Sequence, residues 1–451
     1  MSTSSHLEGL AETISAAAKV ISGYCTLDES PHPSLSPDAP SVVLPHTAPE
    51  YVRQARQQLL SAAKEALQVA AEPSEYLPML AVQYQYIACI KWLAHFQVFA
   101  AVPLTGSVPY SQLASICSVP ERQLQSVVRM AITSGCLCEP QPGEIAHNPV
   151  SRQFVTLPAY LGWIRFMTDF YMPVSAQMAE ATEKWGESEQ PTETAVNLAM
   201  NTPLSAFTFI TRSREFNKLF GGYMKGVAAS EGTAVRHLLE DYDWAQLNQG
   251  LVVHIDGAPG TVCVALAEAF PRLRFVVQDT AEQTNQSRSF LKSQPGPIHS
   301  AIETTVYDHY SPQPIQNANV YLLRMVLHNH VDDNAIRILT PLVQPLRSNP
   351  TARLLIIDTV IPEPGQVGVL DDALQRYRDL TMRQVFNTKE RDLTEFQRIL
   401  DATSDGAGRL AVQKVRRSPG SALSVIEVAY QSYANGNGNG NGNGSFQQFG
   451  Y

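Results

Sequence analysis

Residues 251–279 read LVVHIDGAPGTVCVALAEAFPRLRFVVQD. The apolar run at 251–255 has the length of a buried strand, and RFVVQ at 274–278 is a second. Between them lie a turn bearing Gly257 and Gly260 and a helix pattern, VALAEAF. An acid, Asp279, closes the stretch. Strand, glycine turn, helix, strand, acid is the order in which an open α/β sheet holds a nucleoside-bearing cofactor. The glycines let the backbone approach the ligand, and an acid about 20 residues on accepts from ribose hydroxyls.

The alternation continues toward the C-terminus. Further strands are expected at 302–306, 318–323, 353–358, 409–414 and 423–430, with helical patterns between the earlier ones. That order implies a doubly wound, mostly parallel sheet. The last two runs are joined by RRSPGSA, too short for a helical crossover, so they are expected to pair antiparallel at the sheet edge. The tail at 434–451 is an Asn/Gly repeat and is expected to be disordered.

Upstream, residues 7–22 and 51–71 carry helical periodicity. The segment 29–49 is dense in proline and serine, as in a linker or an arm lying on another surface. From residue 76 a long apolar helical stretch leads into two short helices near Tyr110 and Pro120. Gly135 ends the second, and a hairpin around PQPGE follows, which is a winged-helix outline. The second of the short helices carries only Arg122 and Arg129, so DNA binding is not expected, and the module is read as structural and dimerising. Residues 155–245 are expected to be helical, interrupted near 186–195. They are rich in aromatic and Met residues, which build cores and also line apolar ligand pockets. The expected domains are therefore a helical arm with linker at 1–75, a helical winged-helix-like dimerisation and lid domain at 76–245, the cofactor domain at 246–433 and the tail.

The 451 residues carry a net charge of −9, and the pI is about 5.7. That balance argues against a nucleic-acid surface. None of the six cysteines forms a C-x2-C pair, so no zinc site is expected, and reduced thiols in a cytoplasmic protein are. No signal peptide and no membrane span of ~20 apolar residues is read.

Ligands meet such a sheet at the carboxyl ends of its strands. The residues there are Asp256, Gly257 and Gly260, then Asp279, then Asp308 and His309, then the run from Arg324 to His330, then Asp358, with Glu390 in a later charged run. Over residues 76–432 the chain resembles the fungal S-adenosylmethionine-dependent O-methyltransferases related to plant caffeic acid O-methyltransferase. VYLLRMVLHNHVDDNAIRIL is similar to that family's segment around its catalytic histidine, YDWAQLNQGLVVHIDGAPG to the run into its glycine motif, and LLIIDTVIPEPG to the strand after the histidine segment. The resemblance implies a Rossmann-like class I methyltransferase domain, S-adenosylmethionine as cofactor and a homodimer acting on a small natural product. It implies His328 as general base flanked by Asp358 and Glu390. The implied cofactor contacts are Asp256, Gly257, Gly260, Asp279, Asp308, His309 and Arg324. His147, Phe166, Met167 and Met325 are taken as substrate contacts. Methyl transfer is an in-line displacement in which the attacking hydroxyl loses a proton, and a carboxylate-oriented histidine suits that near neutral pH.

The turn departs from the family pattern. Asp256 and Ala258 replace glycines, Pro259 precedes Gly260, His254 stands where an acid is usual, and His330 replaces a common Trp. Those departures open a second reading. In it a pericyclase of the same fold binds the cofactor without transferring methyl and cyclises a polyketide–amino-acid hybrid, with His147 acting on substrate. A non-catalytic binding protein is a third reading, which the winged-helix outline favours and the acidic balance opposes.

Overall fold

The computed structural model describes residues 5–45 and 47–433, and the tail expected to be disordered lies outside them. The chain divides into two compact units, Met1–Ser230 with Gly368–Asp371, and Glu231–Val367 with the chain from Asp372 onward.

The first unit is mainly helical. Helices His6–Leu27 and Glu50–Ala70 pack on one another through Ala17, Ile21, Cys25 and Ala55. The proline-rich segment between them is tied down where Gln153 donates to the Ser41 carbonyl at 3.0 Å. A short sheet has the order β1 (Val108–Pro109), β3 (Glu144–Ala146), β2 (Cys138–Gln141). It adjoins helices Tyr110–Cys117 and Glu121–Thr133 over one apolar core centred on Leu93, Leu113, Leu124 and Val128. Farther on, helices Pro158–Phe166 and Arg214–Ala229 cross at two glycines. A Cβ on Gly162 would stand 2.9 Å from the Gly222 Cα, so only glycine admits the crossing.

The second unit is built on seven strands in the order β6-β5-β4-β7-β8-β10-β9. They are β4 (Leu251–Ile255), β5 (Arg274–Asp279), β6 (Ile302–Val306), β7 (Val320–Arg324), β8 (Arg353–Asp358), β9 (Gly408–Arg416) and β10 (Ser424–Ser432). The first five are mutually parallel, and β10 runs antiparallel to both β8 and β9. The expected doubly wound sheet with a final antiparallel pair is what forms. Apolar side chains alternate between its faces. Leu354 and Ile356 enter a core with Ile338, Leu339, Phe396 and Leu400, whereas Leu355 and Ile357 enter one with Leu238, Val262, Leu266 and Leu291. A strand covered on both faces must be apolar throughout, which is why these strands read as runs rather than alternations. Each such side chain contributes about 1.5–3 kcal/mol on burial. Helix Val235–Asp241 and Trp244 belong to this second core.

The strand order places the ligand crevice. The chain steps from β4 outward to β5 and β6, then returns to β7 on the other side of β4. The loops after β4 and β7 diverge there, and the opening lies at their carboxyl ends. No helix among the described residues is long and apolar enough to cross a membrane.

Candidate active site

β7 ends at Arg324, and Met325 turns the chain with φ +56. The Asn329 side chain donates to the Met325 carbonyl at 3.1 Å, closing a short 3-10 turn, Leu327–Asn329, that carries His328. Just past β8, Val360 forms a parallel bridge with Arg391, which brings residues 388–391 alongside the strand end. That pairing sets Glu390 against His328: Nδ1 of the ring lies 3.0 Å from Oε1 of the carboxylate, with both residues buried. Burial opposes charge on the ring, but Glu390 and Asp358 outweigh it and raise the His328 pKa above its ordinary 6.5. Asp358 is fully buried. Neither of its oxygens has a partner in good hydrogen-bond geometry among the described residues, and the Leu327 N–H acts on it from outside that geometry. Burial therefore pushes the carboxyl up to about 7, despite the help of the His328 charge. With Nδ1–H held by Glu390, Nε2 keeps the lone pair, which is the arrangement a general base needs.

The second group lies across the ends of β4, β5 and β6. Gly257 has no room for a side chain, since a Cβ would meet the buried His254 ring at 2.5 Å. Burial and the nearby Arg324 charge hold His254 down to about 3, so it is neutral. Asp279 ties the turn to β5 by accepting the Ala258 N–H at 3.1 Å and the Thr280 N–H at 2.8 Å. Asp256, with φ +51, bonds Nδ1 of His309 at 2.6 Å. The His309 ring meets His330 edge-on at 5.5 Å between centroids. Burial disfavours its charge, but Asp256 prevails and raises its pKa. The two unusual residues, Asp256 and His330, thus touch the same histidine. Asp308 is exposed and accepts the Tyr310 N–H at 3.1 Å.

Arg324 donates to the Thr233 carbonyl at 2.6 Å and lines a water-sized cavity of about 10 Å³ with His237, Asp241 and Ile357. In the first unit His147 is buried with both ring nitrogens engaged, Nδ1 with Ser151 Oγ at 2.9 Å and Nε2 with the Phe99 carbonyl at 3.0 Å. Phe166 is wholly buried and stacks on Phe170 at 4.7 Å and Tyr223 at 5.1 Å. Met167 begins a π-helical turn, Met167–Tyr171, a rare local geometry that is frequent at functional sites. Arg391 stands in a charged run of the sequence, yet its side chain is completely buried beside Glu390. The signal available was its adjacency to an acid expected at the site.

A family model described as an O-methyltransferase domain matches residues 188–406. The O-methyltransferase VdtC of Byssochlamys spectabilis is 42% identical over 428 residues, 94% of this chain and 97% of that protein. The chain belongs to the O-methyltransferase family. It is an enzyme of the kind that methylates an oxygen with S-adenosylmethionine. A second model, the N-terminal domain of the trypacidin-cluster transcriptional coactivator tpcD, matches residues 4–69, the first helix pair. Among solved structures, OxaC has 21% identity and a TM-score of 0.70 over 94% of this chain and 99% of that one. A structure described as a pericyclic reaction enzyme has 17% identity and a TM-score of 0.71 over 93% and 100%. At such identity these two show the shared fold.

The residues of this O-methyltransferase fit its cofactor. The packed Gly257 leaves the turn's backbone bare. Asp279 and Asp308, at the ends of adjacent strands, are acceptors of the kind that ribose hydroxyls and an adenine amino group require. The charge at Asp256, which would repel a carboxylate, is met by His309.

Proposed function

We propose that this O-methyltransferase methylates a hydroxyl of a polyketide-like aromatic or heterocyclic natural product, with His328 as general base. The observation that carries the reading is the buried His328–Glu390 contact of 3.0 Å, with Asp358 raised beside it. Glu390 accepts from Nδ1 and fixes the tautomer, so Nε2 takes the substrate hydroxyl proton. The imidazolium so formed is stabilised by two carboxylates. S-adenosylmethionine supplies an electrophilic methyl on a sulfonium centre. Asp279, Asp308 and the Gly257–Gly260 turn hold its nucleoside end, and Asp256 with His309 borders the turn. The remaining rate gain comes from aligning hydroxyl and methyl.

In this reading the helices and hairpin of the first unit form a winged-helix-like dimerisation module. Arg129 is bound to Glu139 by hydrogen bonds of 3.1 and 3.0 Å. That leaves little positive charge for a phosphate backbone and argues against a DNA partner. On the second unit the substrate side includes Met325, where the chain turns after β7.

The second reading, a cofactor-bound pericyclase, draws on the altered turn. One incubation separates the two. Purified enzyme, S-adenosylmethionine and a panel of phenolic polyketides are expected to yield a product heavier by one methyl, with S-adenosylhomocysteine in equal amount. A dehydrated or isomerised product with the cofactor unconsumed would overturn the methylation reading. His328→Ala is expected to slow transfer by ~10²- to 10⁴-fold while S-adenosylhomocysteine still binds, and near-normal turnover would remove His328 as the base.

A further inference from the structure

Glu390 and Arg391 are neighbours on the segment that bridges to Val360. Glu390 reaches the His328 ring. Arg391 reaches the same turn through its backbone: Nη1 donates to the Leu327 carbonyl at 2.8 Å and Nη2 to the His330 carbonyl at 2.7 Å. The Asp332 carboxylate holds Nε at 2.9 Å, and Arg398 holds the same carboxylate at 2.6 Å. The carbonyls one residue before His328 and two residues after it thus end on one planar group. That group is wholly buried and has its counter-ion. A guanidinium can span two carbonyls and a carboxylate in a plane, which a lysine ammonium cannot. The histidine is therefore held at Nδ1 by Glu390, and the turn that carries it is held on either side of it by the adjacent Arg391.

We propose that Arg391 is a positioning residue for His328, fixing the 327–330 turn so that Nε2 presents its lone pair to the substrate hydroxyl. The proposal rests on the reading of His328 as the base, and Arg391 acts only through the turn. Asp332, which orients the guanidinium, belongs to the same device.

Arg391→Lys and Asp332→Asn are compared with the unaltered enzyme for kcat, KM, the pH dependence of kcat/KM, S-adenosylhomocysteine affinity by calorimetry, and melting. The expected result is a fall in kcat of ~10- to 100-fold, as when a reacting group is displaced by about an ångström. KM and cofactor affinity should stay near their original values. The pH at which kcat/KM rises should move, because the Glu390–His328 contact is disturbed. In a His328→Ala background, Arg391→Lys should lower the residual rate no further. Folded variants that keep the original kcat and pH profile would overturn the proposal, and so would an equal loss in the His328→Ala background. If Arg391→Lys fails to fold, Asp332→Asn decides alone. Should His328→Ala itself turn over normally, the base reading falls. If His328→Ala is slowed as expected while the two clamp variants are normal, only the positioning role falls.

Discussion

Three ionisable side chains, His328, Glu390 and Asp358, share one buried volume, and their charges set what the site can do. The His328 pKa lies above 6.5 because two carboxylates outweigh its burial. As the base it must be neutral, so kcat/KM is expected to rise with pH through a value above 6.5. A rise centred well below that, in initial rates at subsaturating substrate, would contradict the proposed cluster. Asp358 bears on stability. Its folded pKa, about 7, exceeds the ordinary 3.8, so the folded chain holds a proton that the unfolded chain releases. Its contribution to stability is therefore greatest below about 4 and is lost progressively as pH climbs toward about 7. Asp358→Asn is expected to raise the melting temperature at pH 8 and flatten its dependence on pH between 4 and 7, while slowing turnover. A melting curve unchanged at pH 8 would refute the strain assigned to this carboxyl. The family resemblance implied the three members of this cluster, but neither their burial nor the charge each carries was legible in the residues. TKERD is a charged run whose composition does not announce burial, and the partners that bury it lie 59 to 64 residues away in the chain.

At the scale of elements, the strands of the second unit were legible to within two residues at most ends, because chains covered on both faces must be apolar throughout. The turn between β4 and the helix Thr261–Ala269 was legible as a glycine-bearing turn but not in its electrostatics. Asp256 finds His309 across 53 residues, and no local pattern announces that pairing. The packing of Gly257 on the buried His254 ring makes a direct prediction. Gly257→Ala must push the ring or the turn, and it is expected to weaken S-adenosylhomocysteine binding by about tenfold or more, roughly 1.4 kcal/mol. Unchanged affinity in calorimetry would remove this turn from the cofactor site. The region 155–245 read as helical with an interruption near 186–195. The π-helical turn at Met167 and the glycine crossing of Gly162 with Gly222 depend on close tertiary approach, which periodicity does not record.

For the whole molecule, homodimerisation is the expected state, and light scattering should return twice the 49.5 kDa of one chain. A monomer mass at micromolar concentration would refute it. The sequence by itself determined the parallel sheet, its antiparallel edge, the order of its strands along the chain and the rim on which the chemistry-bearing residues lie. Those features follow from hydrophobic period, strand length and connection length, all local properties. Only the tertiary structure decided which of those residues meet. It paired His328 with Glu390 and Asp256 with His309, and it sealed both nitrogens of His147. It also buried Arg391 with its guanidinium on two backbone carbonyls. Contacts between distant parts of the chain depend on how the loops after β4, β6, β7 and β8 converge, and burial then fixes the charge each group carries.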